Sequence, residues 1–249
     1  MAHKKNIFTQ RDNAMNPLEQ GIAHHIGPEA LARLQQVRVG LAGAGGLGSN
    51  CAQALVRSGF KRFVLVDFDR VEPSNLNRQF FFPDQVGLPK VVALAANLLR
   101  INPDLDLELH EEPITAVNVH QLFINCDTVV ECVDDPSMKK LLTEAMIPTK
   151  ALFVAASGIA GCGDADRIQT RRIRNNFFLV GDGQTAACPD TPPLAPLVAV
   201  AAAKQADVVL HHFLHQQIEE NRPDSPDGDT RIGLFSHYGR SESVSKSKS

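Results

Sequence analysis

A glycine-rich segment between an apolar run and a helical stretch is the feature that most restricts the fold. Residues 37–41 are typical of a buried parallel strand, and Gly43, Gly45 and Gly48 follow with the spacing G-x-G-x-x-G. Residues 49–58 then predict a helix. Glycines at these positions let the backbone approach a phosphate group, while the first helical turn offers amide donors and positive potential. The segment therefore predicts a nucleotide-binding strand–turn–helix unit.

The chain as far as residue 158 alternates between short apolar runs and helical stretches. We predict further strands at residues 62–67, 105–110, 128–132 and 152–156, and helices at residues 90–100, 117–125 and 136–146. Strands that alternate with helices form a parallel sheet that is covered on both faces. The predicted fold class is therefore α/β, with a doubly wound, mostly parallel, Rossmann-like sheet.

The pattern changes after Gly158. Residues 167–173 and 177–180 predict a small β addition, and residues 197–217 predict a closing helix. We expect one nucleotide-binding domain over residues 1–220. Residues 221–249 are rich in proline, aspartate, glycine and serine, so we expect a disordered tail.

The net charge and the hydropathy limit which binding partners and which cellular compartment we expect. The 249 residues carry a formal net charge of -3, so no global attraction to nucleic acid or to anionic membranes is expected. The first residues lack the apolar run of a secretory signal, and the longest apolar-rich stretch, residues 194–203, is shorter than a membrane span. We expect a cytoplasmic protein that binds neither nucleic acid nor membrane.

The five cysteines are scattered singly along the chain. This spacing predicts free thiols and not a disulfide framework. The sequence contains no C-x-x-C pair, so we expect no four-cysteine zinc site. Cys51, Cys126 and Cys132 fall in elements that we expect to be buried.

A polar string follows the second predicted strand and indicates which groups the site offers. Asp67 ends that strand, where a carboxylate can accept hydrogen bonds from ribose hydroxyls. The string then adds Asp69, Ser74, Asn75, Arg78 and Gln79. Lys90 begins the next predicted helix. Each cation alone is compatible with a surface position, but together they favour a triphosphate, because arginine and lysine can neutralise phosphate oxygens.

Two acids, Asp134 and Asp135, follow the fourth predicted strand. Ligands of doubly wound sheets lie beyond the carboxyl ends of the strands, so we expect Asp134 to face the nucleotide. A carboxylate beside a triphosphate is consistent with a magnesium ion between the two. Asp135 precedes Pro136 and can instead cap the next helix.

Taken in order, these segments resemble the ThiF/MoeB/HesA family of the ubiquitin-activating-like superfamily. The motifs are G-x-G-G-L-G-S, V-D-F-D, S-N-L-N-R-Q, G-x-P-K and R-I-N-P, followed by Asp134. The resemblance covers about residues 37–161. Residues 154–161 and the later Gly181-Asp182-Gly183 look most like the shorter ThiF-like proteins, the sulfur-carrier ThiS adenylyltransferases.

The resemblance implies an ATP- and Mg²⁺-dependent enzyme that adenylates the C-terminal glycine of a small ubiquitin-like sulfur carrier ending in Gly-Gly. It also implies a sulfur donor such as a cysteine desulfurase, a homodimer and a place in thiamine biosynthesis. Catalytic roles fall on Asn75, Arg78, Lys90 and Asp134, the last as the magnesium ligand. The expected nucleotide-binding residues are Gly43, Gly45, Gly46, Gly48, Asp67, Asp69, Ser74, Asn75, Arg78, Gln79, Lys90 and Asp134.

The chain departs from the family pattern in two places. Longer members bind zinc through two C-x-x-C pairs, which are missing from this sequence, and Arg11 is only a weak match to the N-terminal arginine that some members supply to a neighbouring subunit. Some relatives also use a cysteine to take over the activated carrier, and Cys188, in a predicted loop, is the candidate thiol.

Three other hypotheses remain open at this point. One is an enzyme related to the tRNA cyclic threonylcarbamoyladenosine dehydratase, which activates a carboxylate that does not belong to a protein. Another is an NAD(P)-dependent oxidoreductase, which would leave Asn75, Arg78, Lys90 and Asp134 without a function. The last is a catalytically idle scaffold.

Overall fold

The computed structural model describes the backbone of residues 15–220 and the side chains as far as residue 215. The strands are β1 (Arg38–Ala42), β2 (Arg62–Val66), β3 (Asp106–His110), β4 (Thr128–Glu131), β5 (Leu152–Ala156), β6 (Gln169–Arg174) and β7 (Phe177–Gly181). The helices are α1 (Pro17–Ile26), α2 (Pro28–Gln36), α3 (Gly46–Arg57), α4 (Lys90–Ile101), α5 (Val119–Phe123), α6 (Pro136–Met146) and α7 (Ala195–Glu220).

The seven strands form one sheet in the order β3-β2-β1-β4-β5-β7-β6. Neighbouring strands are parallel throughout, except that β6 pairs with β7 in an antiparallel register. The predicted doubly wound, mostly parallel α/β fold is confirmed, and the β addition joins the same sheet. The order reverses at β1, which is where a doubly wound sheet holds its ligand.

Each face of the sheet packs against its own set of helices. On β2, Phe63 and Leu65 belong to a hydrophobic cluster with α3, α4 and α7, whereas Val64 and Val66 belong to a cluster with α5 and α6. Both sets of side chains are buried, which explains why the sequence of β2 is continuously apolar after Arg62 and does not alternate with polar residues.

The N-terminal helices α1 and α2 were not anticipated from the sequence. Asn16 caps α1, since its side chain accepts the Glu19 amide at 3.0 Å. The same side chain donates to Asn102 at 2.8 Å and to Asp104 at 2.9 Å, which ties α1 to the segment that follows α4.

Helix α7 is longer than the apolar stretch seen in the sequence. The helical segment 195–215 is long and apolar enough to cross a membrane by length and composition, with a mean hydropathy of 1.3. The prediction that this stretch is shorter than a membrane span is therefore wrong for the helix that contains most of it. The buried side of α7, which includes Leu197, Ala201 and Val209, packs in the hydrophobic cluster on the α3 side of the sheet, and such core helices have the same composition. The expected absence of membrane binding stays a prediction.

Two expectations concern residues outside the described part of the chain. They are the disordered tail at residues 221–249 and the candidate Arg11.

Candidate functional site

The glycine loop joins β1 to α3 in close contact with the end of β4. Gly43 has a φ angle of +102°, and a Cβ atom there would lie 2.9 Å from the Cys132 carbonyl oxygen. A Cβ atom on Gly48 would lie 1.9 Å from the Gly43 carbonyl oxygen. Helix α3 begins after Gly45 without a side-chain cap. Its first turn therefore lies directly at the carboxyl edge of the sheet, where its free amide groups can meet an anion.

Asp67 lies beneath this loop at the end of β2. One carboxylate oxygen accepts the Ala44 amide at 2.7 Å, and the other accepts the Asp69 amide at 2.8 Å. Burial raises the pKa of Asp67, although the two amide donors and the charge of Lys90 oppose the shift. The carboxylate thus holds the glycine loop in place, a structural role that the sequence motif did not indicate.

The segment that carries Arg78 and Gln79 docks on the first turns of α3. The Asn50 side chain donates to the Arg78 carbonyl oxygen at 2.8 Å, and the Phe80 amide donates to the Ser49 hydroxyl at 2.9 Å. A Cβ atom on Gly46 would lie 3.7 Å from Cγ of Arg78. The guanidinium itself bonds only neutral oxygens, the Ser74 carbonyl and the Asn77 side chain, among the described residues.

Gln79 and Asn75 are buried beside this docked segment. Nε2 of Gln79 lies 3.7 Å from the position that a Cβ atom on Gly45 would take. Its Oε1 atom is buried and has no hydrogen-bond partner within the described residues. Asn75 uses its side-chain oxygen to accept the Glu72 amide at 3.1 Å, while the one contact of its Nδ2 among the described residues is a long one, 3.4 Å, with the hydroxyl of the exposed Ser74.

Lys90 lies close to Asp67 but pairs with Asp69. Its ammonium is 2.6 Å from the Asp69 carboxylate, and its side chain is only 8% exposed. The Lys90 amide also donates to the Asp69 carbonyl oxygen at 2.9 Å. The lysine at the start of α4 is therefore fixed to the loop that follows β2.

Asp134 and Asp135 differ in their surroundings. Asp134 is exposed, two residues beyond the Cys132 carbonyl that Gly43 approaches, and its side chain has no hydrogen bond or ion pair within the described part of the chain. Asp135 caps α6, because it accepts the Met138 amide at 2.8 Å. The hydrogen bond from Ser137 is the main cause that lowers the pKa of Asp135.

A buried ion pair beneath Asp134 was missed by the sequence analysis. Glu131 is 1% exposed, and its Oε1 atom lies 2.8 Å from the Lys139 ammonium and 2.9 Å from the Val133 amide. Lys139 also donates to the Ala156 carbonyl oxygen at 2.9 Å. The pair joins the ends of β4 and β5, and burial raises the pKa of Glu131. A charged residue within an apolar strand was the only sequence signal.

The cysteines fall into two groups. Cys51, Cys126 and Cys132 are buried, as expected, and burial raises the pKa of Cys51 and of Cys126 to about 12. Cys162 and Cys188 are exposed, and hydrogen bonding to Thr191 lowers the pKa of Cys188. Among the described contacts, none joins Cys188 to the residues around the glycine loop. Its candidate role as a reactive thiol stays a prediction.

The geometry defines a class of protein. A glycine loop at the reversal of strand order, a strand-end carboxylate below it and two cations beside it are the features of a Rossmann-like nucleotide-binding domain. The chain belongs to the ThiF family, whose model matches residues 19–228. The family resemblance inferred from the motifs is thereby confirmed.

The curated relatives are longer than this chain. Ubiquitin-like modifier-activating enzyme 5 of Drosophila melanogaster is 35% identical over 174 residues, which are 65% of this chain and 41% of that enzyme. The enzyme of the same name from Caenorhabditis elegans is 31% identical over 173 residues, 65% of this chain and 39% of the relative. The chain thus spans about two fifths of the length of these relatives.

Two solved structures from Escherichia coli have the same fold. The tRNA N6-threonylcarbamoyladenosine dehydratase TcdA, in complex with ATP, gives a TM-score of 0.69 at 23% identity and covers 81% of this chain and 93% of its own. MccB with AMPCPP and MccA gives 0.62 at 20% identity, over 82% of this chain and 65% of its own.

Proposed function

We propose that the chain adenylates the C-terminal carboxylate of a small ubiquitin-like protein, with ATP as the second substrate. The observation that carries the proposal is the convergence of Asp67, Arg78 and Gln79 on the glycine loop and the start of α3, with Lys90 held close to Asp67 through Asp69. Family membership supports it, as does the similarity to enzymes named for activating ubiquitin-like modifiers.

The residues around the glycine loop are suited to bind a nucleoside triphosphate. The orphaned Oε1 of Gln79 and the weakly bonded Nδ2 of Asn75 leave polar atoms for a ligand. Arg78 bonds only neutral oxygens among the described residues, so its charge remains available to phosphate. Asp67 has one amide bond on each oxygen and keeps lone pairs for ribose hydroxyls.

The proposed reaction needs no general base, because the attacking carboxylate is already ionised at neutral pH. A carboxylate oxygen forms a bond to the α-phosphorus, and the bond from that phosphorus to the bridging oxygen breaks. Pyrophosphate leaves with the electron pair. Arg78 and Lys90 would reduce the repulsion between the two anions and stabilise the departing charge, with Lys90 exchanging Asp69 for phosphate.

Asp134 would hold the magnesium ion. No group of three histidine, cysteine or acidic side chains suited to a metal occurs among the described residues. Phosphate oxygens and water would therefore complete the coordination, as is usual for Mg²⁺ at nucleotide sites. The ion supplies neutralisation of phosphate charge, and the exposed, unpaired Asp134 carboxylate fits that role.

The identities of the carrier protein, the sulfur donor and the pathway are proposed from the motifs alone. Residues 154–161 and the Gly181-Asp182-Gly183 segment support a ThiS-like sulfur carrier, a sulfur donor such as a cysteine desulfurase, and a role in thiamine biosynthesis. The same proposal includes assembly of the chain as a homodimer and a location in the cytoplasm.

A second candidate is a TcdA-like reaction on a nucleoside carboxylate of tRNA. Its support is the shared fold, which extends over 94% of the TcdA chain in complex with AMP. The oxidoreductase hypothesis loses support, because the ThiF model matches most of the chain.

The test is ATP–pyrophosphate exchange with Mg²⁺, measured with purified ThiS-like carriers that end in Gly-Gly and with the same carriers lacking both glycines. Exchange that requires the two glycines supports the proposal. Carriers that give no exchange, together with ATP-dependent conversion of threonylcarbamoyladenosine-containing tRNA, would contradict it and favour the second candidate.

A further inference from the structure

Helix α7 carries two exposed imidazoles one turn apart. The ring centroids of His211 and His215 are 4.8 Å apart, and the ring planes are tilted by 52°. Neither side chain has a hydrogen bond or an ion pair within the part of the chain that the structure describes. Residues four apart on a helix lie on the same face, so the two rings are neighbours on one exposed face of α7.

The separation of the rings matches two ligands of one metal ion. Imidazole nitrogens bind zinc at about 2.0–2.1 Å, so each ring centre lies roughly 3.2 Å from a shared ion. Two centres 4.8 Å apart then subtend an angle of about 97° at the metal, between octahedral and tetrahedral values. The adjacent His24 and His25 of α1 also have their rings close together, with centroids 5.4 Å apart at 66°, so this pair is the control for a site that needs the four-residue spacing.

We propose that His211 and His215 form a bidentate site for a divalent transition-metal ion such as Zn²⁺, Ni²⁺ or Cu²⁺. Imidazole prefers these ions to Mg²⁺. Asp207 is exposed one turn earlier on the same row of α7, but the described residues contain no three-residue metal group. Water therefore completes the coordination, and binding is exchangeable.

The proposed site is separate from the nucleotide site. Val198, near the start of α7, packs against the glycine loop, with Cγ1 3.0 Å from the position that a Cβ atom on Gly46 would take. His211 follows 13 residues later, which places it about 20 Å further along the helix axis. A metal ion there does not contact Asp134, so the inference is independent of the proposed adenylation.

The test is calorimetric titration of the untagged, metal-free protein with Ni²⁺ and Zn²⁺. A His3→Ala/Cys162→Ser/Cys188→Ser background removes the exposed thiols and a histidine outside the described residues, which also bind these ions. We expect one equivalent to bind, and we expect either His211→Ala or His215→Ala to abolish that binding. The matched His24→Ala/His25→Ala variant should retain it.

Two further measurements make the outcome decisive. Electron paramagnetic resonance of the Cu²⁺ complex should show two coordinated nitrogens in the parent and fewer in each single variant. Circular dichroism should show that all variants stay folded, since the replaced side chains are exposed. Absence of binding in the parent, or binding that survives both His211→Ala and His215→Ala, would overturn the proposal.

Discussion

Arg78 and Lys90 carry the same charge, but different groups hold them. Lys90 is nearly buried and has a carboxylate partner in Asp69, whereas Arg78 is half-buried and bonds two neutral oxygens. Loss of the arginine side chain therefore leaves no carboxylate unpaired among the described residues. The effects of Arg78 on catalysis and on stability should accordingly be separable.

We expect Arg78→Ala to reduce ATP–pyrophosphate exchange by about 100-fold or more, because it removes a cation that faces the developing phosphate charge. The free energy of unfolding should fall by only about 1 kcal/mol, since two hydrogen bonds to neutral oxygens are lost. Arg33→Ala, an exposed position on α2, is the matched control and should change neither quantity. Equal exchange rates in the two variants would contradict the assignment.

Asp67 and Asp135 should give opposite pH dependences of stability. Burial raises the pKa of Asp67, so its contribution to stability is complete below the ordinary value of 3.8 and is lost as pH rises through the raised value. The pKa of Asp135 is lowered, mainly by the hydrogen bond from Ser137, so its contribution is complete above 3.8 and is lost as pH falls through the lowered value.

Urea unfolding of the two asparagine variants across acidic pH measures this contrast. As pH rises, Asp67→Asn should gain stability relative to the unsubstituted protein, and Asp135→Asn should lose it. Asparagine also caps helices well, so the α6 cap itself should survive the second substitution. Parallel trends in the two variants would contradict the assigned environments.

At the scale of elements, the contact between α3 and the end of β1 depends on Gly48. A methyl group there would overlap the Gly43 carbonyl, which is backbone and cannot turn aside. We expect Gly48→Ala to lower the free energy of unfolding by about 3 kcal/mol. The control is Gly21→Ala on α1, where nothing lies within 4 Å of the new atom, and alanine should be neutral or stabilising there. Chemical denaturation of both variants decides between these outcomes.

The Glu131–Lys139 pair links the ends of β4 and β5 and lies beneath the segment that carries Asp134. We expect Lys139→Met to destabilise the protein by about 3 kcal/mol, because it leaves a buried carboxylate without its cation. The double variant Glu131→Leu/Lys139→Met should recover only part of that loss, because it removes the unpaired charge but leaves the Val133 and Ala156 amides without their acceptor. A double-mutant cycle measured by denaturation gives the coupling, and additive single effects would show that the pair is not coupled.

At the scale of the whole molecule, most of the fold was predictable. The strands and the helices α3, α4 and α6 follow from apolar runs and glycine positions that act within a few residues. Helix α1 was missed although Asn16, Pro17 and Glu19 form a local start signal. The predicted helix at residues 117–125 shortens to α5, Val119–Phe123.

The sequence predicted which residues belong to the candidate site, but it did not predict which contacts they make. The motifs selected Asp67, Arg78 and Lys90 because those residues follow the glycine loop at a family spacing. They did not indicate that Asp69 pairs with Lys90, or that Ser49 and Asn50 hold the Arg78 segment. The pairs Asp69–Lys90 and Asn50–Arg78 each span more than twenty residues, so no local pattern relates them.

The sequence by itself determined the alternation of strands and helices, the glycines of the loop and the set of charged residues after β2. Those features depend on backbone preferences and on the periodicity of side-chain direction, which relate residues only a few positions apart in the chain. Tertiary structure alone decided that Glu131 meets Lys139 and that α7 packs against the glycine loop. Glu131 and Lys139 lie on a strand and the following helix, and Val198 lies far from the glycine loop in the sequence, so these contacts form only when packing brings separate elements within a few ångströms, where hydrogen bonds and charge pairs act.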